Sequence, residues 1–265
     1  MKKNDKDINK WGLLNSLISL INEGVEDASD VTIAKCLLEN YNNIQDLNIY
    51  DIAEECFVSR ATIRRMAKKL GFENFKDLKS QFANFSDNYS FYRTGIDNDM
   101  LGNTVAHQIF EMANECEQFF TNHKIELIVR QLKQASQIVF LTSDIYSRQS
   151  SEFQKAMILS GKMVRVVSAK FDDNEILATL KATDILIVIS ISGFFVSQVM
   201  PFVKQSKAKK ILLTTVQKDL FKSLFDEIWY LSSQPKIKYR SVYTVYATQY
   251  CLEKIFTAYI KKFGK

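Results

Sequence analysis

Between residues 138 and 231 the chain repeats one pattern, a short apolar run followed by a segment of helical period. The runs are Ile138–Leu141, Met163–Val167, Ile185–Ile189, Lys210–Leu213 and Ile228–Leu231; the helical segments lie near 148–160, 173–181, 194–206 and 219–225. Strands that alternate with helices predict right-handed βαβ units, hence an α/β domain with a parallel five-stranded sheet covered on both faces. Helical segments at about 100–121 and 123–134 precede the sheet, and a helix at about 241–263 closes the chain.

The first 84 residues follow a different rule. Ile8, Trp11, Leu14, Ile18 and Ile21 keep helical spacing over 8–22, and Ile33, Leu37 and Leu38 share one face of a helix at about 30–41. Asn48 with Asp51 three residues on is a capping-box-like start for a short helix carrying Ile52 and Ala53. Phe57-Val58 makes a turn, Ser59 caps a helix over 60–70, Gly71 stops it, and a last helix covers 74–84. The polar, turn-rich stretch 85–99 reads as a linker. Three parts follow: an all-α helix-turn-helix domain at 1–84, the linker, and the α/β domain at 100–265.

Composition excludes several classes. Apolar residues are 46% and charged residues 25%, ordinary for a folded soluble chain. No apolar run reaches membrane-span length and no secretory leader opens the sequence, so the cytoplasm is the expected compartment and no membrane partner is expected. Cys36, Cys56, Cys116 and Cys251 are scattered without a C-x-x-C pair, and only two histidines accompany them. Buried thiols are the expected reading; neither a metal nor a cofactor is expected.

Charge placement says more than the net +5. Residues 1–84 hold 12 Lys/Arg and 13 Asp/Glu, yet residues 59–71 carry Arg60, Arg64, Arg65, Lys68 and Lys69 with no acid. Ile63, Ala67 and Leu70 form the inner face of the 60–70 helix, which turns Ala61, Arg65 and Lys68 outward, flanked by Arg64 and Lys69. Small Ala61 allows close approach to a groove. Arg64 and Arg65 have the planar fork for guanine or phosphate; Lys68 and Lys69 suit backbone phosphates. Backbone amides at Ser59, Arg60 and Thr62, where the helix starts, can receive another phosphate. A double-stranded DNA operator is the expected partner.

These residues resemble the RpiR family of transcription regulators. Over roughly 10–84, Val58-Ser59, Ala61-Thr62-Ile63, Arg65 and Lys69-Leu70-Gly71-Phe72 all fall in the family's pattern. The resemblance implies a DNA-binding regulator of carbohydrate metabolism whose second domain is SIS-like, an αβα sandwich of the sugar-isomerase kind that binds phosphosugars. Residues ~120–235 resemble such a domain in the order of strands and helices.

In an open parallel sheet, ligands sit beyond the carboxyl ends of the strands. Ser190-Ile191-Ser192-Gly193 follows the third strand and keeps the first half of the SIS turn S-x-S-G-x-T; Phe195 stands where the threonine falls, with Phe194 before it. The first strand's glycine-rich turn is replaced by Thr142-Ser143-Asp144-Ile145-Tyr146-Ser147. Ser143, Ser147, Ser190, Ser192, Gly193 and Thr214 are therefore the candidate effector contacts. The missing glycines and threonine, with the charge of Asp144, predict weak binding of ordinary sugar phosphates. Two alternatives stand beside the phosphosugar-responsive regulator. One is a degenerate effector site that no longer binds phosphosugars; the other is a sugar-phosphate isomerase, with Glu152 or His107 as the base. The apolar closing helix and the pairing habit of SIS domains imply a homodimer or higher homo-oligomer.

Overall fold

The computed structural model describes residues 12–23, 28–41, 43–70, 72–80, 104–168, 174–233 and 240–264. The 85–99 linker and the outer ends of the helices expected at 8–22, 74–84 and 100–121 lie outside the described residues. The chain divides into two compact units, Met1–Ser90 and Phe91–Lys265.

Among its described residues the first unit has helices alone as regular structure: α1 (Gly12–Glu23), α2 (Ser29–Glu39), α3 (Ile49–Glu55), α4 (Arg60–Lys69) and α5 (Phe75–Ser80). Leu17, Ile33, Leu37, Ile44, Ile52, Ile63 and Met66 close into one core, each essentially without solvent contact. Cys36 and Cys56 belong to it, and burial pushes both thiols up, away from the reactive thiolate.

The second unit runs α6 (Val105–Phe119), α7 (Asn122–Gln134), β1 (Ile138–Thr142), α8 (Asp144–Leu159), β2 (Val164–Ser168), α9 (Asn174–Thr179), β3 (Ile185–Ile189), α10 (Phe194–Gln205), β4 (Lys209–Thr214), α11 (Asp219–Leu224), β5 (Glu227–Tyr230) and α12 (Thr248–Phe263). The five strands are parallel in the order β2-β1-β3-β4-β5. Alternate side chains of a strand point to opposite faces. Ile138, Phe140, Ile185, Ile187, Ile211 and Trp229 accordingly pack under α6, α7, α8 and α12. Val139, Leu141, Leu186, Val188 and Leu212 pack under α9, α10 and α11. The result is an αβα sandwich with two cores. Among the described residues, no helix is long and apolar enough to cross a membrane.

Three details depart from the expected elements. Helix α8 begins at Asp144, directly after β1, rather than near 148. The closing helix opens with one π-helical turn, Tyr243–Ala247. Its apolar residues are spent mainly inside the domain: Tyr243, Cys251, Leu252, Ile255 and Tyr259 join the first core, while Tyr246 stays exposed. A carboxylate pins this corner. Glu115 of α6 accepts hydrogen bonds from Tyr243 Oη (2.5 Å), Ser232 Oγ and the Ser233 amide (3.1 Å).

Candidate functional site

In the first unit, local chemistry sets both helices of the motif. Asn48 Oδ1 accepts from the amides of Tyr50 (2.7 Å) and Asp51 (3.2 Å), and Asp51 Oδ2 returns a bond to the Asn48 amide (2.8 Å). This reciprocal box starts α3. Ser59 Oγ accepts from the Thr62 amide (3.1 Å) and shares a hydrogen bond with Thr62 Oγ1 (2.9 Å), which starts α4. The turn between them carries Phe57 in the left-handed region at φ 54, 95% exposed. Ile63, Met66 and Ala67 bury the inner face of α4, leaving Ala61, Arg64, Arg65, Lys68 and Lys69 exposed. Lys69 also pairs with Asp30 of α2 at 2.6 Å. Such an exposed pair contributes little by itself, but it draws Lys69 toward α2. Arg60 lies over the ring of Tyr50, its Cζ 4.4 Å from the centroid.

In the second unit, chain direction reverses between β1 and β3. From β1 the chain crosses to β2 on one side; from β3 it runs to β4 and β5 on the other. Such a switch point opens a crevice at the carboxyl ends of the two strands. Thr142 and Ile189 are register partners there, so the turns that follow, starting at Ser143 and Ser190, are neighbours. Ser143 and Ser147 are half-buried, and Ser192 is exposed. The second turn is closed by the Gly193 amide, which donates to the Ser190 carbonyl at 3.1 Å. Gly193 takes φ +73, and a Cβ there would lie 3.1 Å from Phe221 Cζ. Both constraints demand glycine.

Two candidate hydroxyls point inward instead. Ser190, 2% exposed, accepts from the Val196 amide at 3.2 Å and so serves the first turn of α10. Thr214, fully buried, donates to the Ile191 carbonyl at 3.2 Å and accepts from the Val216 amide at 3.1 Å. Thr215 adds two further bonds to the same carbonyl, from Oγ1 (3.0 Å) and from its amide (3.2 Å). The loop after β3 is thereby stitched to the loop after β4. Phe195 also turns inward, into the core under α10, so its ring does not stand over the crevice. The side chains of Asp144 and Phe194 lie outside what the structure describes.

The αβα architecture recurs in known structures. NanR from Vibrio vulnificus, complexed with ManNAc-6P, matches 95% of this chain and 92% of its own at 17% identity, with a TM-score of 0.51. The sugar isomerase domain of an RpiR transcription factor from Sphaerobacter thermophilus matches 60% of this chain and 89% of its own at 13% identity, also at 0.51. No curated protein sequence matches. Residues 12–88 match the helix-turn-helix domain of the rpiR family. The chain carries an rpiR-type helix-turn-helix domain.

The two site regions differ in how sequence and structure relate. The outward residues of α4 could be read from helical periodicity, with Met66 the inner-face residue that the i, i+4, i+7 count passes over. Tyr50 was not legible, because the Tyr50–Arg60 stack crosses from α3 to α4 and no repeat period joins the two positions. The inward turn of Ser190 and Thr214 was not legible either, since it depends on two loops meeting in space.

Proposed function

We propose that the whole chain is an RpiR-type transcription regulator that acts in the cytoplasm on carbohydrate genes, reading its operator with α4 and taking a sugar phosphate or related carbohydrate derivative at the β1–β3 crevice. The observation that carries the effector reading is topological. The two serine-bearing turns lie side by side at the switch point of the sheet, each leading into a helix, α8 or α10. Helix amides and dipoles favour an anion there, and Ser143, Ser147 and Ser192 are the hydroxyls we assign to it. The ligand of the similar NanR, ManNAc-6P, supports a phosphosugar as the chemical class.

A second reading has its own support. The first turn has no glycine, and the hydroxyls of Ser190 and Thr214 serve the fold. A crevice with fewer donors suits a less anionic carbohydrate, or none. Calorimetric titration of the full chain with hexose, pentose and amino-sugar phosphates separates the two: micromolar binding by one of them is expected, and silence across the panel would leave the degenerate site. The same sugars should return unconverted. Of the two bases considered, Glu152 pairs with Lys155 (2.7 Å) and His107 faces Glu111 (3.4 Å), all four half or more exposed, a setting of surface ion pairs rather than of a proton-transfer site.

We also propose a homodimer or higher homo-oligomer. With the closing helix largely used by the core, the support moves to α6, whose first turns expose Val105 (60%) and Phe110 (64%). Light scattering at micromolar concentration should return at least twice the chain mass of 30.6 kDa; a single-chain mass, with and without DNA, counts against it.

A further inference from the structure

The stack of Arg60 on Tyr50 is a contact that the fold itself does not need. Tyr50 is 62% exposed, so its ring adds little to the core. Its part in capping α3 is played by its backbone amide, bonded to Asn48 Oδ1, which any side chain at that position would keep. Arg60, the first residue of α4, is exposed as well. What the stack does change is the freedom of the guanidinium. A guanidinium lying flat on a ring gives up its weakly hydrated face and keeps its N–H edges for an acceptor. A free arginine must be ordered when it grips a phosphate; one already stacked has lost part of that freedom beforehand.

We infer that Tyr50 is a positioning residue for DNA binding, whose exposed ring holds the Arg60 guanidinium at the start of the recognition helix with its donor edge open to a phosphate of the operator backbone. The inference rests on α4 being the helix that reads DNA. Lys68 and Lys69 lie at the other end of that helix, so a held Arg60 adds a backbone contact at its start. The contact is to phosphate, so it adds affinity and register but no sequence choice.

The experiment is a double-mutant cycle in the full chain, read by binding to an operator selected from a random duplex library and to a mixed-sequence duplex. Tyr50→Leu is expected to weaken both by about two- to fivefold, the range of an exposed cation–π contact. Tyr50→Phe should bind as the unaltered protein does. In an Arg60→Ala background, where the salt slope falls by about 0.9 for one lost phosphate, Tyr50→Leu should change nothing further. The N-terminal unit should stay cooperatively folded in Tyr50→Leu, its unfolding temperature moved by no more than a few degrees, so that the binding loss is not a loss of fold. An equal loss from Tyr50→Leu with and without Arg60 would overturn the inference. So would a Tyr50→Phe variant as weak as Tyr50→Leu, because the hydroxyl and not the ring would then be meeting DNA. Arg65→Ala serves as the control on the underlying reading: if it leaves operator binding intact, the helix assignment fails, whatever Tyr50 does.

Discussion

Arg65→Ala is expected to weaken binding to a selected operator by about 1–3 kcal/mol while leaving mixed-sequence DNA nearly as tightly held. Arg65 stands on the exposed face of α4, and the opposite face is fixed by Ile63, Met66 and Ala67 in the core. The helix therefore cannot roll to present another residue without unburying them. Its guanidinium can span O6 and N7 of one guanine, a contact that a single wrong base removes. Lys68→Ala should behave differently, weakening all duplexes alike and flattening the salt dependence by about one phosphate. Competition binding at two salt concentrations reads both. Equal losses on operator and mixed-sequence DNA from Arg65→Ala would reassign it to the backbone.

Gly193→Val should destabilise the C-terminal unit by about 2–5 kcal/mol. A left-handed backbone costs a side-chain-bearing residue about 1–2 kcal/mol, and forcing extra atoms into packed surroundings adds about 1–3 kcal/mol. Both apply, since φ is +73 and a Cβ would meet Phe221 at 3.1 Å and Val216 at 3.3 Å. Neither neighbour can swing away, because both are buried in the second core. Chemical denaturation followed by the fluorescence of Trp229, buried in β5, reports on this unit. Ser192→Ala, one residue earlier and exposed, is the matched control and should stay near the unaltered stability. A Gly193→Val midpoint equal to that control would mean the turn is not built as described.

Much of this architecture could be read before any coordinates. The runs at 138–141 and 185–189 reappear as β1 and β3 because unbroken runs of four and five apolar residues suit strands of a sheet buried on both faces. The Asn48–Asp51 box and the Ser59 cap are local chemistry, complete within four residues, and so were legible. The start of α8 was missed for the converse reason. Asp144 to Ser147 carries little apolar period, and only packing of Tyr146 against the first core shows that the helix has already begun. The crevice was half legible: the serines mark its place, but the inward turn of Ser190 and Thr214 is decided by the Val196 amide and the Ile191 carbonyl.

The three bonds on the Ile191 carbonyl also have a mechanical meaning. Ile191 and Ser192 are adjacent, so a displacement of Ser192 loads Thr214 and Thr215 at the same moment. Thr214 passes that load across the sheet end through its own carbonyl, which accepts from the Leu231 amide at 2.9 Å. Leu231 is followed by Ser232 and Ser233, and these grip Glu115 on α6. The line of tension thus ends on α6, the first described helix of the second unit. A displacement at the Ile191 carbonyl is carried to that helix by hydrogen bonds of 2.9 Å to 3.2 Å, buried where Thr214 and Thr215 make them.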